Sequence, residues 1–284
     1  MIVADQVADV RRAIRDARYR NLPIGCVPTM GALHAGHASL IEAARCECRF
    51  VVVTIFVNPT QFGPQEDFTR YPRPLENDLA LCRQAGVDLV FVPSLESLYP
   101  TDFGTFVEIE PLSRVLEGAF RPGHFRGVAT IVLKLLNIVQ PDVAYFGRKD
   151  FQQQLVVRKM CREFDLPVEI RTCPTVREPD GLALSSRNRF LEGADRQNAL
   201  VLSQALFLAE RRLKAGEHDV RAVCAQMTQH MESAGAAVDY AAVADPETLI
   251  ELAAPIPDMI ALVAAHVGPT RLIDNLPIAL EHRP

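Results

Sequence analysis

Two histidines three residues apart, His34 and His37, stand in Pro28-Thr-Met-Gly-Ala-Leu-His-Ala-Gly-His37, between a short apolar run and a segment with helical spacing. A helix starting there offers unpaired backbone N–H groups and a partial positive charge, which together favour a bound anion. Gly36 lets a ligand come close to the backbone. A pair of imidazoles can donate hydrogen bonds to the charge that builds on a phosphate under attack. No third ligand follows at a metal-binding spacing, so the pair does not read as a metal motif. The bland alternative is a strand–helix turn carrying two solvated histidines.

Four further segments hold polar groups where apolar runs end. In Phe56-Val-Asn-Pro-Thr-Gln-Phe-Gly63, Asn58 and Gln61 are uncharged amides suited to a hydroxyl or carboxylate. Downstream, Glu66, Asp67 and Asp78 are candidate magnesium ligands, direct or through water, with Asp78 the one retained as a weak candidate; isolated acids are more often surface residues. In Phe146-Gly-Arg-Lys-Asp-Phe-Gln-Gln-Gln154, Gly147 permits close approach, Lys149 can neutralise phosphate oxygens, Asp150 can cap a helix or bind a ribose hydroxyl, and Gln153 can reach the same cavity. In Leu182-Ala-Leu-Ser-Ser-Arg-Asn188, expected to be a mobile polar loop, Ser185, Ser186 and Arg187 are the groups that would clamp a pyrophosphate leaving group. Arg121-Pro-Gly-His-Phe-Arg-Gly127 reads either as a mobile wall over the site or as a lead-in to the next helix.

The elements that must position these groups follow from periodicity. Val3, Val7, Val10 and Ile14 are spaced for a helix from Val3 to Arg18. Ile24–Val27 is a short buried strand ending at Pro28, and a helix runs from about Gly36. The β-branched run Phe50–Val57 suits a parallel sheet covered on both faces. Helices over Leu75–Ala85, Gly127–Val139 and Phe151–Phe164 alternate with strands at Val87–Val92, Val143–Phe146 and Val168–Thr172. Such alternation predicts a parallel α/β sheet flanked by helices with right-handed crossovers, which binds ligands at the carboxyl ends of its strands. Near Ser185 the pattern changes to helices at Asp195–Ala215 and Val220–Ser233 and strands at Val238–Val243 and Met259–Ala264, with Arg271–Asp274 as a possible third. The expected division is therefore a domain over residues 1–185 and a smaller C-terminal α/β domain over 186–284.

Composition sets the outer limits. A formal net charge of -5 gives no electrostatic case for a nucleic-acid partner. No apolar stretch approaches the roughly 18 residues of a membrane span, and the charged N-terminus does not read as a signal peptide. The 7 cysteines are scattered without paired CxxC motifs, which suits reduced thiols in a cytoplasmic protein.

Taken in order, PTMGALHAGHASL, FVNPTQFGPQEDFTRYPR, RPGHFRGVATIVLKLLNIVQPDVAYFGRKDFQQ and REPDGLALSSRN resemble the signatures of the pantothenate synthetase (pantoate–β-alanine ligase) family, within the HxGH nucleotidyltransferases. Weaker echoes at VDYAAVADPETL and RLIDN extend the resemblance over nearly the full length. The resemblance implies a Rossmann-like N-terminal domain with a parallel sheet flanked by helices, a smaller C-terminal domain that covers the site, and a homodimer. It also implies a two-step reaction, in which pantoate and ATP give pantoyl-adenylate and pyrophosphate, and β-alanine then displaces AMP. It places ATP against Met30, Gly31, Ala32, Leu33, His34, Ala35, Gly36 and His37, then Gly147, Arg148, Lys149, Asp150, Val176, Leu184, Ser185, Ser186 and Arg187. His37 is the expected catalytic histidine with His34 as its partner, Gln61 and Gln153 hold pantoate, and Gln61 also meets β-alanine. Magnesium is expected as the counterion of ATP. Leu184 and Arg148 stand where the family commonly has Met and Glu; the first keeps volume and apolarity, and the second reverses a charge beside Lys149. The alternatives to the ligase are an enzyme that adenylylates a phosphate, for which extra cations opposite HxGH would be needed, and a catalytically silent nucleotide-binding protein.

Overall fold

Strand-length apolar runs and amphipathic helical segments alternate along the chain, and the computed structural model, which describes residues 1–64 and 66–280, folds accordingly. In order the elements are β1 (Ile2–Ala4), α1 (Val7–Tyr19), β2 (Ile24–Thr29), α2 (Ala35–Glu47), β3 (Phe50–Ile55), α3 (Leu75–Gln84), β4 (Leu89–Phe91) and α4 (Leu95–Leu98). There follow α5 (Glu117–Phe120), α6 (His124–Val139), β5 (Val143–Gly147), α7 (Phe151–Glu163) and β6 (Glu169–Cys173). The chain ends with α8 (Gly193–Asn198), α9 (Val201–Lys214), α10 (Val220–Ser233), β7 (Ala237–Ala244), β8 (Asp258–Val267) and β9 (Thr270–Ala279). No helix among the described residues is long and apolar enough to cross a membrane.

The chain divides into two compact units. The first comprises residues 1–114, 121–148 and 153–174. Its six strands are all parallel, in the order β1-β4-β3-β2-β5-β6. Central β3 is buried along Val51–Ile55, which is why it reads as a continuous apolar run and not as an alternating one. The order reverses direction between β2 and β5, since β3 and β4 step away on one side and β6 on the other. The two strands pair only at Gly25↔Val143 and Cys26↔Ala144, although β2 runs on to Thr29 and β5 to Gly147. Their carboxyl ends therefore part, and the crevice that opens there is where doubly wound sheets take ligands.

That splay also explains a difference from expectation. The expected strand stops at Pro28, but β2 continues through it, with Pro28 in register with Thr54 of β3. Beyond Cys26 only the ladder to β3 remains, so a residue with no N–H donor is tolerated as it is at a sheet edge. Val3 lies not in a helix but in β1, an edge strand on β4. The helical spacing belongs to α1 alone, whose Val10, Ala13, Ile14 and Ala17 form its buried stripe. α6 starts at His124, three residues earlier than expected, because Gly123 at φ +83° turns the chain directly into the helix.

The second unit comprises residues 115–120, 149–152 and 175–284. Its sheet is antiparallel, β7-β8-β9, and β8 and β9 are joined by the two-residue turn Gly268-Pro269, with Gly268 at φ +55°. Leu202, Leu206 and Leu213 of α9 and Val223, Met227 and Met231 of α10 share one core with Met259, Val263, Leu272 and Ile278 of the sheet. Each such side chain contributes about 1.5–3 kcal/mol on burial. The expected helix from Asp195 to Ala215 is broken into α8 and α9, and the possible strand at Arg271–Asp274 is the start of a ten-residue β9.

Candidate active site

In the first unit the loop from β2 to α2 is built almost entirely from backbone turned inward. Gly31 (φ +80°) and Ala32 (φ +51°) both adopt the left-handed region. Gly31 N–H donates to the Thr29 hydroxyl at 3.1 Å, and the N–H groups of Ala32 and Leu33 donate to the two oxygens of Asp78 at 2.9 and 2.7 Å. Asp78, on the first turn of α3, is 2% exposed. Its carboxylate thus shapes the loop, and that occupation weighs against the magnesium role weakly assigned to it from sequence. Glu66 is similarly engaged, accepting from Arg121 Nε and Nη2 at 2.8 and 2.6 Å. Burial pushes the Glu66 carboxyl up, but the hydrogen bond and charge of Arg121, together with the Gly63 backbone hydrogen bond and nearby His124, hold it below its usual range. Among the described residues no group of three or more His, Cys, Asp or Glu side chains could hold a metal ion.

The two histidines cap α2. His34 Nδ1 accepts from Gly36 N–H at 3.1 Å, and His37 Nδ1 accepts from His34 N–H at 3.3 Å. Their rings lie 4.2 Å apart at 48°. An Nδ1 that accepts carries no proton, so in each neutral ring Nε2 is the donor. The structure therefore supplies two oriented Nε2–H groups at a helix N-terminus, on the loop that leaves β2 at the splay from β5.

Gln61 sits at the carboxyl end of β3 on a single 3₁₀ turn, Pro59–Gln61, and is 7% exposed. Its Oε1 accepts from Asn58 Nδ2 at 3.1 Å, and its Nε2 lies 2.9 Å from the sulfur of Met30. Asn58, fully buried, also donates to the Gly127 carbonyl at 3.2 Å. The Gln61 carbonyl lies 2.8 Å from His124 Nδ1 and accepts from Arg121 Nη2 at 3.3 Å. The Arg121–Gly127 segment, which by sequence is either a wall or a helix lead-in, is thus a buttress for Gln61 and the start of α6. A Cβ on Gly127 would overlap the Thr60 carbonyl oxygen, so only glycine lets α6 approach this turn.

The three consecutive glutamines of α7 part company. Gln152 donates to the Val115 carbonyl and accepts from Glu117 N–H, and Gln154 accepts from Arg158 and Thr172. Gln153 is half-buried and its amide is uncommitted among the described residues, which suits the ligand role assigned to it. Before the helix, Gly147 has open space where a Cβ would be, and Arg148 lies close enough to Cys173 to lower its thiol against the rise caused by burial. The cysteines form no disulfide, and burial pushes the Cys26 thiol up to about 12, so it is no nucleophile.

In the second unit Lys149 and Ser185 line one cavity with Asn188 and Asp274. Lys149 Nζ lies 3.7 Å from Asp150, and the Lys149 carbonyl accepts from Asn275 Nδ2 at 2.8 Å. The segment from Val176 to Leu184 folds back on itself through Leu184 N–H to the Val176 carbonyl and Glu178 N–H to the Leu182 carbonyl. Arg177 then ties it down, donating to the Gly181 carbonyl at 3.0 Å and to both oxygens of Asp274 at 2.6 and 3.0 Å. Burial pushes the Asp274 carboxyl up, partly offset by Arg177. Asn188 binds the Ala183 carbonyl and Glu178, and Arg196 binds Glu178 and Asp180. The loop expected to be mobile is therefore pinned on several sides. Ser185 caps the 3₁₀ turn Ser186–Phe190 by accepting from Arg187 N–H. Arg177, Asn188, Asp274 and Asn275 carry no signal by themselves; the echo at RLIDN is the nearest hint.

A family model described as pantoate-beta-alanine ligase matches residues 2–277. The pantothenate synthetase 1 of Bradyrhizobium diazoefficiens is 53% identical over 97% of this chain and 98% of its own length. The pantothenate synthetase of Acidobacterium capsulatum is 52% identical over 96% of this chain and 95% of its own. The crystal structure of pantothenate synthetase from Thermus thermophilus superposes with a TM-score of 0.91 at 47% identity, covering 97% of this chain and 99% of that one. That of the pantoate-beta-alanine ligase from Francisella tularensis, complexed with beta-gamma ATP and beta-alanine, gives a TM-score of 0.82 at 36% identity over 97% of both chains. With HxGH capping α2, amides at the end of β3 and the match running through both units, the chain belongs to the pantoate–β-alanine ligase family.

Proposed function

We propose that this chain joins pantoate to β-alanine in two steps with ATP. A carboxylate oxygen of pantoate attacks the α-phosphorus; the new O–P bond forms as the bond to the bridging oxygen breaks, and pyrophosphate leaves with the electron pair. The amine of β-alanine then attacks the acyl carbon of the pantoyl-adenylate, AMP leaves with the electrons of the acyl–oxygen bond, and the amine loses its proton to solvent. No base is needed for the first step, because a carboxylate is already ionised at neutral pH.

The observation that carries this reading is the pair of Nε2–H donors of His34 and His37 at the N-terminus of α2, each ring fixed through Nδ1. Donors aimed where charge develops stabilise the transition state more than the ground state. In this reading Met30–His37 bind ATP, with Gly147, Arg148, Asp150, Val176 and Leu184 completing the nucleotide contacts. Lys149, Ser185, Ser186 and Arg187 neutralise and release the pyrophosphate. Gln61 and Gln153 hold pantoate by neutral amides, and Gln61 also orients β-alanine. The Francisella relative's complex with a nucleotide and β-alanine supports the substrate set. Magnesium enters as the counterion of the ATP phosphates. A homodimer belongs to the same proposal, and sedimentation would test it.

The deciding experiment is pantoate-dependent exchange of labelled pyrophosphate into ATP in the absence of β-alanine. Exchange is the expected result. Folded protein that binds ATP and shows no exchange would sink the adenylate route.

A further inference from the structure

The RLIDN segment, Arg271–Asn275, begins β9 and takes no part in the chemistry proposed above. Along a strand the side chains alternate, so Arg271, Ile273 and Asn275 share one face, opposite the core residue Leu272. Two of these reach back to segments from the middle of the chain. Arg271 donates through both Nη groups to Glu117, at 2.5 and 3.0 Å, and through Nε to Asp239 at 2.7 Å. Asn275, 3% exposed, donates Nδ2 to the Lys149 carbonyl at 2.8 Å. The two captured segments are also tied to each other, since Gln152 accepts from Glu117 N–H and donates to the Val115 carbonyl. Residues 115–120 and 149–152 belong to the second unit although the chain on either side of each belongs to the first.

A backbone peptide has two soft dihedrals per residue, and anchoring a residue's carbonyl restricts its ψ, which narrows the directions in which its side chain can leave. A buried amide donor is costly unless paired, and pairing it to a single carbonyl makes that carbonyl's position well determined. We infer that Asn275 is a positioning residue for the proposed phosphate-binding Lys149: it holds the Lys149 peptide so that the ammonium is presented in the cavity shared with Ser185. The inference rests on the role proposed for Lys149.

The test is a double-mutant cycle read by pyrophosphate exchange and by full turnover, using the full chain. Asn275→Ala should lower kcat by about tenfold, a typical loss for one buried hydrogen bond that orients a reacting group. The KM for β-alanine should stay within about twofold, because the bond acts on Lys149 and not on the amine's site, while the fall in thermal midpoint should be the same with and without the Lys149 side chain. In a Lys149→Ala background, Asn275→Ala should cost nothing further. If Asn275→Ala does not fold, Asn275→Asp keeps the shape and turns the donor into an acceptor facing the same carbonyl, and the same cycle applies. An equal loss with and without Lys149, or no loss at all beside a slow Lys149→Ala, overturns the inference alone. Full activity in Lys149→Ala removes the role of Lys149 and the inference with it.

Discussion

The carboxylate of Asp78 accepts the backbone N–H of Leu33 at 2.7 Å, and its second oxygen accepts that of Ala32 at 2.9 Å. Ala32 is held at φ +51°, where a residue with a Cβ costs roughly 1–2 kcal/mol. The paired acceptor offsets that strain and sets the loop from which His34 begins the helix. Asp78→Asn would keep one acceptor and aim an amide N–H at a backbone N–H. It should lower stability by about 1–3 kcal/mol, the cost of leaving a buried donor unmet, and weaken ATP binding. Thermal melts with and without ATP would check it; unchanged ATP affinity in a destabilised protein would confine Asp78 to folding.

His37→Ala removes one Nε2–H donor and also the acceptor of His34 N–H. Adenylate formation should slow by about 10²-fold or more, as for loss of one oriented donor to a developing charge. ATP affinity should change far less. Single-turnover rates set beside equilibrium ATP binding give the comparison, and equal losses in both would make His37 a binding residue.

Gly127→Ala should disturb pantoate binding without touching pantoate. Its Cβ would overlap the Thr60 carbonyl oxygen and approach Gln61 N within 2.7 Å, so the Pro59–Gln61 turn or α6 must move. Overpacking of this kind costs about 1–3 kcal/mol. The KM for pantoate should rise while that for ATP holds; a KM for pantoate equal to that of the parent would show that the Gln61 turn tolerates the shift.

Acid should loosen the same turn. The Glu66 carboxyl lies below its ordinary 4.5 in the folded chain, so on acidification the unfolded chain takes up the proton first. The stabilisation is complete above that ordinary value and is lost as pH falls through the lower folded one. Glu66→Gln should therefore lower the thermal midpoint at neutral pH and flatten its decline below pH 4.5. Parallel curves for the two proteins would show that Glu66 does not contribute to acid sensitivity.

Much of the fold was legible because its signals are local. The β-branched run at Phe50–Val57 reads as a strand buried on both faces, and β3 takes Phe50–Ile55 of it, while the spacing in α1 and α9 marks their apolar stripes. HxGH after a strand marked a helix start, since one helix turn suffices to bring His34 and His37 together. Chain order could not show that β2 and β5 are neighbours that part beyond Cys26 and Ala144, because that depends on pairing between strands far apart in the chain. Nor could it show that Asp78 serves a loop 45 residues earlier in the chain, that Gly127 is needed for close approach to Thr60, or that Asn275 holds Lys149. A carboxylate, a glycine and an amide are each common in sequence. They acquire meaning only from the backbone that the tertiary structure sets against them, where an unpaired donor would be costly and a Cβ would not fit.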